Sequence, residues 1–412
     1  MSPGVDWSNW SGAIRVADAR IERPADAAAL AERIAAAASA ERFRPIGSGH
    51  SFVPFWSEGD TLLDLSACSG LHGMDAETGS EGREGRHTVI AELGAGTPIH
   101  AIGPLLAAEG LALANQGDID RQTLAGAVAT GTHGTGRGLG SLSSMVAGVE
   151  LVDGRGGLHR IAGGDELAAV QLSLGLLGAM TRIRMRVVPL YGLHERNAAE
   201  PVEECLERLE DRFAGHRHHE FWWVPRDDHC IVKTLDAIEV PEVPRLEEIP
   251  FGAEGERWGP AWQVFPSERD ARFNELEYAV PRSAGPDCFR ALRTALLDAF
   301  PKLPWPIEYR LVAGDDGWLS PTAGQEVVAI SVHQDACRDE RPLFELAEPI
   351  LGAHGGRPHW GKRHGLAAGE LAGLYPRLAD FDRLRRRFDP DDRFLTPWLA
   401  TLMPSTQPSG WA

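Results

Sequence analysis

No apolar run in the chain approaches the roughly 20 residues needed to cross a bilayer. Met1 to Ser11 lacks a basic stretch followed by an apolar core, so no signal peptide is expected. Cysteine is scarce, with five in 412 residues. Cys68, Cys205, Cys230, Cys288 and Cys337 show no CxxC spacing, which fits reduced thiols in a cytoplasmic protein better than a disulfide framework. Positive charge is in deficit, with 41 basic against 59 acidic residues and a net charge of -18. A nucleic-acid surface, which needs a basic patch, is excluded on that balance. There is no P-loop lysine followed by Ser or Thr, no internal repeat, and no low-complexity segment beyond an alanine run.

What is present is an ordinary globular composition, 43% hydrophobic and 24% charged, and a length that suggests two or three domains. The alanine-rich stretch Pro24–Ala40 reads as a helix. It leads into Phe43-Arg44-Pro45-Ile46-Gly47-Ser48-Gly49-His50-Ser51-Phe52. Gly47 and Gly49 lack a Cβ, so their N–H groups can approach an anion, with His50 at the rim. Strands are expected at Thr61–Leu65 and Thr88–Leu93, joined through an exposed connection over Asp75–Arg86. Thr97 is expected to N-cap a helix running to Glu109, with Gly110 closing it.

Leu124–Gly136 reads as a glycine-rich loop that lets other groups approach its backbone. Strands follow at Val146–Val152, Gly157–Ile161 and Thr181–Val188, the last alternating apolar residues with arginines. Pro189 marks a domain boundary.

Beyond it, Val202–Phe213 reads as a helix and Glu220–Val224 as a strand. The run His216-Arg217-His218-His219-Glu220 lacks metal-ligand spacing and is expected to be a solvated turn, so no metal site is assigned. Glu239–Gly255 is a proline- and glutamate-rich surface loop. Phe273–Val280, Ile307–Val312 and Val327–His333 read as strands, and Glu308 and Arg310 share one face. By pattern alone that pair could be an ordinary ion pair. Asp287–Phe300, Leu366–Leu374 and Asp380–Phe388 read as helices.

Five stretches in one order carry a family resemblance: Gly47-Ser48-Gly49-His50-Ser51-Phe52, Gly126 through Gly136, Glu308-x-Arg310, His359-Trp360-Gly361-Lys362 and Phe388-Asp389-Pro390. From Trp10 to about Pro397 the chain resembles the FAD-dependent sugar-1,4-lactone and alditol oxidases of the vanillyl-alcohol oxidase superfamily. The resemblance implies an α+β fold: a two-subdomain FAD-binding domain over 12–189 and an α+β cap domain with an antiparallel sheet over 190–385. A segment over 386–412 would return to the FAD domain.

The same resemblance implies FAD contacts at Ile46, Gly47, Ser48, Gly49, His50 and Ser51, with a covalent bond from His50 to the flavin 8α-methyl carbon. It implies further contacts at Gly117, Asp118, Thr123, Gly126, Ala129, Thr130, Gly131, Thr132 and His133, and an adenine contact near Ile183. Two glycine-rich backbones suit a bound diphosphate cofactor, which would supply the redox chemistry.

Oxidising a carbinol by hydride transfer to flavin N5 requires a base for the hydroxyl proton, and His333 is the candidate. Lys362 would meet negative charge on the reduced ring and contact the cofactor. Arg310 would polarise the substrate oxygen and Glu308 would hold the arginine. Asp118 stands where alditol oxidases carry serine, which favours a sugar lactone. Gly117 leaves room for O2, giving hydrogen peroxide. The alternatives are an alditol or polyol oxidase, a dehydrogenase with another acceptor, and a flavin-binding module without turnover.

Overall fold

Three sheets and the helices between them position the site. The computed structural model describes residues 4–81, 87–267 and 271–404. The first sheet is built from β1 (Val5–Ser8), β2 (Arg15–Glu22), β3 (Phe43–Ile46) and β4 (Thr61–Asp64) in the order β1-β2-β4-β3. Helix α1 (Ala27–Ala35) connects β2 to β3. Its start is fixed by Asp26, whose carboxylate accepts from the Ala29 N–H at 2.8 Å, and it buries Leu30 and Ile34.

The second sheet contains β5 (Leu71–Glu81), β6 (His87–Gly94), β8 (Val146–Val152), β9 (Leu158–Ile161) and β10 (Ala179–Pro189), with the short β7 (Leu111–Ala112) pairing β10. Its helices are α2 (Ile99–Ala107), α3 (Leu124–Thr130) and α4 (Gly164–Val170). Alternation in β10 works as expected. Thr181, Ile183, Met185 and Val187 are buried, while Arg182 reaches Glu92 at 2.6 Å and Arg184 reaches Asp75 at 2.8 Å.

Three expectations in this half need correction. The segment from Asp75 is strand β5 as far as Glu81; residues 82–86 of the expected connection lie outside those described. Pro98, not Thr97, occupies the N-cap of α2. The Thr97 hydroxyl donates to the Gly94 carbonyl at 2.6 Å and accepts from the Gly70 N–H at 2.9 Å, so it closes a turn instead. Leu124–Thr130 is helix, not loop: Thr123 caps it by accepting from the Gly126 N–H, and Gly131 ends it at φ 80.

The cap is one antiparallel sheet of β11 (Gly192–Pro201), β12 (His218–Val224), β13 (His229–Ile238), β14 (Gly255–Pro260), β15 (Phe273–Pro281), β16 (Ile307–Val312), β17 (Val327–Asp335) and β18 (Arg357–Pro358). Their order is β14-β11-β13-β12-β16-β17-β15-β18. Helices α5 (Val202–Glu207) and α6 (Leu209–Gly215) break at Arg208, at φ -94 and ψ 0, where a single helix was expected. Helix α7 is Ala261–Val264, α8 is Gly285–Ala299 and α9 is Arg341–Ala353.

Period-two patterning divides the cap sheet's faces. Tyr309 of β16 and Phe221 of β12 pack with Phe289 of α8 and Phe344 of α9 in the cap core. Glu308 and Arg310 point the other way, to a cavity shared with the first two sheets. His218 and His219 belong to β12 and are buried, so that run is not a solvated turn. Their partners explain it: His218 Nδ1 lies 2.7 Å from the Thr135 carbonyl and His219 Nδ1 lies 3.3 Å from the Lys233 carbonyl.

Direct bonds join the cap to the flanking sheets. The Thr135 hydroxyl donates to the His219 carbonyl at 2.6 Å, and the Gly136 N–H to the Leu311 carbonyl at 2.8 Å. After α10 (Ala368–Leu374) and α11 (Leu378–Phe388), the last element among the described residues is α12 (Pro397–Leu402). Between α11 and α12 it docks beside α1: Arg393 donates to the carbonyls of Ile34 at 2.8 Å, Ala38 at 3.0 Å and Gly154 at 3.1 Å.

Candidate active site

Two glycine stretches meet where β3 ends and α3 begins. A Cβ on Gly47 would stand 2.3 Å from Thr123 Oγ1, so only glycine lets β3 exit against the cap of α3. Gly49 follows at φ 69, a conformation glycine adopts without strain. The Ser48 hydroxyl donates to the Arg121 carbonyl at 2.5 Å, tying the two loops together.

A narrow cavity of about 100 Å³ runs between them. Ile46, Gly47, Ser48, Gly49, Thr123, Gly126 and Ala129 line it. Among the described residues no carboxylate does, in a chain of net charge -18. Backbone N–H groups, hydroxyls and the Gln122 amide are offered, and the Arg44 guanidinium lends positive charge while its own N–H groups donate to the Leu174 and Phe394 carbonyls, a setting that suits a diphosphate.

His50, Ser51, Gln122 and Thr130 line both this cavity and a larger one of about 650 Å³. A long cofactor with an anionic middle and a planar head therefore has a continuous path, and the residues fit FAD. Gly117, Asp118, Thr132, His133, Glu308, Arg310, His333 and Lys362 all line the larger cavity.

Two residues of the expected cofactor set line neither cavity. Gly131 serves the helix end, and Ile183 is fully buried in the core, paired in register with Leu93 and Val149. An adenine contact from the Ile183 side chain would require that core to open.

Sequence reasoning missed two carboxylates central to the larger cavity. Glu275 and Glu277 stand on β15, opposite His333 and Ser331 of β17. Glu277 is 2% exposed and collects the Arg310 guanidinium at 2.6 Å, the Ser331 hydroxyl at 2.7 Å and His133 Nε2 at 3.0 Å. Burial pushes its pKa up, but His133 and then Arg310 outweigh burial and hold it well below the usual carboxylate range.

Glu275 forms an ion pair with Lys362. Burial opposes ionisation there too, and Lys362 followed by His333 wins, lowering the pKa. The Lys362 charge is thus matched by a carboxylate and is not isolated. A signal was available: Glu275 and Glu277 repeat at period two in a mostly apolar strand, as Glu308 and Arg310 do.

His333 Nδ1 lies 2.9 Å from the Pro306 carbonyl, an acceptor, so Nδ1 carries a ring proton. Nε2 lies 3.7 Å from Glu275 Oε1. Arg310 is clamped by Glu277 and by Glu308 at 3.1 Å, and its Nε is buried without a hydrogen-bond partner. Trp222 Nε1 donates to Glu308 at 3.1 Å and fixes that carboxylate. His359, also lining the cavity, is pushed down to about 4 by burial and stays neutral.

On the opposite wall, the His50 ring stacks on Trp10 at 5.3 Å. Burial, then Lys362, lowers its pKa to about 4.

Comparison with known proteins agrees with this geometry. The D-arabinono-1,4-lactone oxidase family matches residues 183–253 and 245–402, and the FAD binding domain family matches residues 19–162. An L-gulono-1,4-lactone dehydrogenase of Mycobacterium tuberculosis is 33% identical, the match covering 95% of this chain and 97% of that protein. The chain belongs to the D-arabinono-1,4-lactone oxidase family.

A second relative of this lactone oxidase family member is an alditol oxidase of a Streptomyces strain, 30% identical over 96% of this chain and 98% of that one. The fold extends further. A crystal structure of cholesterol oxidase from Brevibacterium sterolicum superposes with a TM-score of 0.80 at 16% identity, covering 97% of this chain and 96% of that one. The family member described here is an FAD-dependent oxidoreductase with an α+β fold. Among the described residues no helix is long and apolar enough to cross a membrane.

Proposed function

We propose that the protein oxidises a carbinol of a sugar-1,4-lactone, with FAD along the two joined cavities and attached through His50. Bound FAD supplies the ring that takes up hydride. The single observation that carries the reading is the row of His333, Arg310 and Glu308 on the cap sheet, facing His50 and Thr132 across one cavity.

His333 Nε2 takes the carbinol proton, because the Pro306 carbonyl keeps the ring proton on Nδ1. Glu275, 3.7 Å from Nε2, stabilises the imidazolium that results. Arg310 holds the substrate oxygen with N–H groups fixed by Glu277 and Glu308, and Lys362 with its Glu275 partner orders the cofactor side of the cavity.

O2 as acceptor, reduced to hydrogen peroxide, rests on Gly117. A Cβ there would stand 3.0 Å from Thr132 Cγ2, in the cavity wall. A cytoplasmic setting rests on the free thiols: all five cysteines are unbridged. An alditol as donor is the competing reading, favoured by the 30% identity to the Streptomyces alditol oxidase.

Anaerobic titration decides between them. A hexono- or pentono-1,4-lactone should bleach the yellow holoenzyme stoichiometrically, and air should restore the colour with one hydrogen peroxide per lactone oxidised. Bleaching by alditols alone would transfer the substrate assignment to polyols. No bleaching by either class would end the redox reading.

A further inference from the structure

The larger cavity has two chemically separate ends. Of its charged side chains, Asp118, Glu275, Glu277, Glu308 and Arg310 are buried, and Lys362 is half-buried in its ion pair with Glu275. Among the described residues that line it, the most exposed are apolar, Phe251, Ala271 and Pro304, while its polar residues are half-buried or buried.

Just inside this mouth stand two aromatic pairs. Trp222 and Phe251 have ring centroids 6.1 Å apart, and Phe273 and Trp305 5.4 Å apart. Phe251 is 59% exposed. It rides on the loop between β13 and β14. A sugar lactone held by Arg310 and His333 offers hydroxyls to the buried end and nothing apolar to the mouth. Exposed apolar side chains concentrated at the entrance of a binding cavity mark a surface that a ligand covers.

We propose that the donor is amphipathic: a polyhydroxylated carbinol head, oxidised at the buried end, carrying an apolar alkyl or aryl substituent that lies between Trp222–Phe251 and Phe273–Trp305. The inference rests on the lactone or polyol reading for its head group and adds the tail. Burying one methylene is worth about a three- to four-fold gain in affinity, so a homologous series reads the rim directly.

The test uses holoenzyme and the 6-O-methyl, butyl and octyl ethers of a hexono-1,4-lactone. Binding is followed anaerobically by perturbation of the flavin absorbance, and turnover by flavin reduction. The expected result is an affinity and a kcat/KM that rise along the series by about three-fold per methylene until the rim is filled. In Phe251→Ser the octyl-to-methyl ratio should fall by ten-fold or more, and Phe251→Leu should restore part of it. Because Phe251 is an exposed loop residue, neither variant disturbs the core.

Reduction by the parent lactone with a flat or falling ether series overturns the tail and leaves the redox reading standing. Rising affinity without reduction by any ether overturns the amphipathic donor, while reduction by the parent lactone is read separately and decides the redox reading. Preference for a 6-O-glycosyl lactone over an alkyl ether of similar size also overturns the proposal, since the rim would then be stacking a second sugar.

Discussion

His50 shows how much a single residue can reveal when its signal is local. Its neighbours Gly47, Ser48, Gly49 and Ser51 are adjacent in sequence, and all five line the narrow cavity. Stacking on Trp10 fixes the ring, and burial keeps it neutral, so a ring nitrogen retains the lone pair needed to bond carbon. We expect acid-denatured protein run on a gel to keep its flavin fluorescence, and His50→Ala protein to lose it. A wild-type band without fluorescence would leave the loop as a phosphate cradle and nothing more. Glu277 is the contrast. Its partners His133 and Arg310 lie 144 and 33 positions away, so only the fold brings them together. Period-two patterning marks Glu277 as facing the same way as Glu275 but does not say what either faces.

Elements were legible where their pattern was repetitive and lost where one residue's chemistry decided the outcome. β10 was readable because its apolar residues alternate with arginines over its whole length. Helix α3 was not, since small residues hide its period and its ends depend on Thr123 and Gly131. Only the start of β12 was misjudged, for another reason: histidine suggests solvent, yet His218 and His219 belong to a strand in the middle of the cap sheet. Each of its two histidines sets one ring nitrogen against a backbone carbonyl. Lys233 of β13, 2% exposed, sits 3.0 Å from Glu220 of β12 and 3.5 Å from Asp118 of the cofactor-side loop. Burial would strip the lysine's proton, but Asp118 and then Glu220 raise its pKa. Lys233→Met should therefore cost about 3–5 kcal/mol, because it leaves buried carboxylates without their cation. Adding Glu220→Gln should recover part of that loss. Urea midpoints of the three proteins measure both effects, and a Lys233→Met loss under 1 kcal/mol would show that the pair does not hold the strands.

At the scale of the whole molecule, packing three sheets around one cofactor path buries several histidines. Burial lowers His218 and His219 to about 3, and His359 and His364 to about 4. In the unfolded chain each would titrate near 6.5. The sign follows directly: below pH 6.5 the unfolded chain takes up protons that the folded protein refuses, so stability falls as pH falls. Each such histidine removes up to about 1.4 kcal/mol per pH unit until its folded value is reached. Glu275 and Glu277, whose folded pKa values are depressed, add a loss in the same direction, but only from about pH 4.5 downward. The net charge of -18 works the other way, since acid relieves repulsion among carboxylates. Those charges are mostly on the surface and screened beyond about 8 Å at physiological salt, so the buried histidines should win. Calorimetry of the holoenzyme at fixed flavin should show Tm falling steadily from pH 7 to pH 5. His218→Gln and His219→Gln should each flatten that slope whatever they cost at pH 7. A Tm that does not change between pH 7 and pH 5 would mean these rings accept protons in the folded state, and the account of their burial would be wrong.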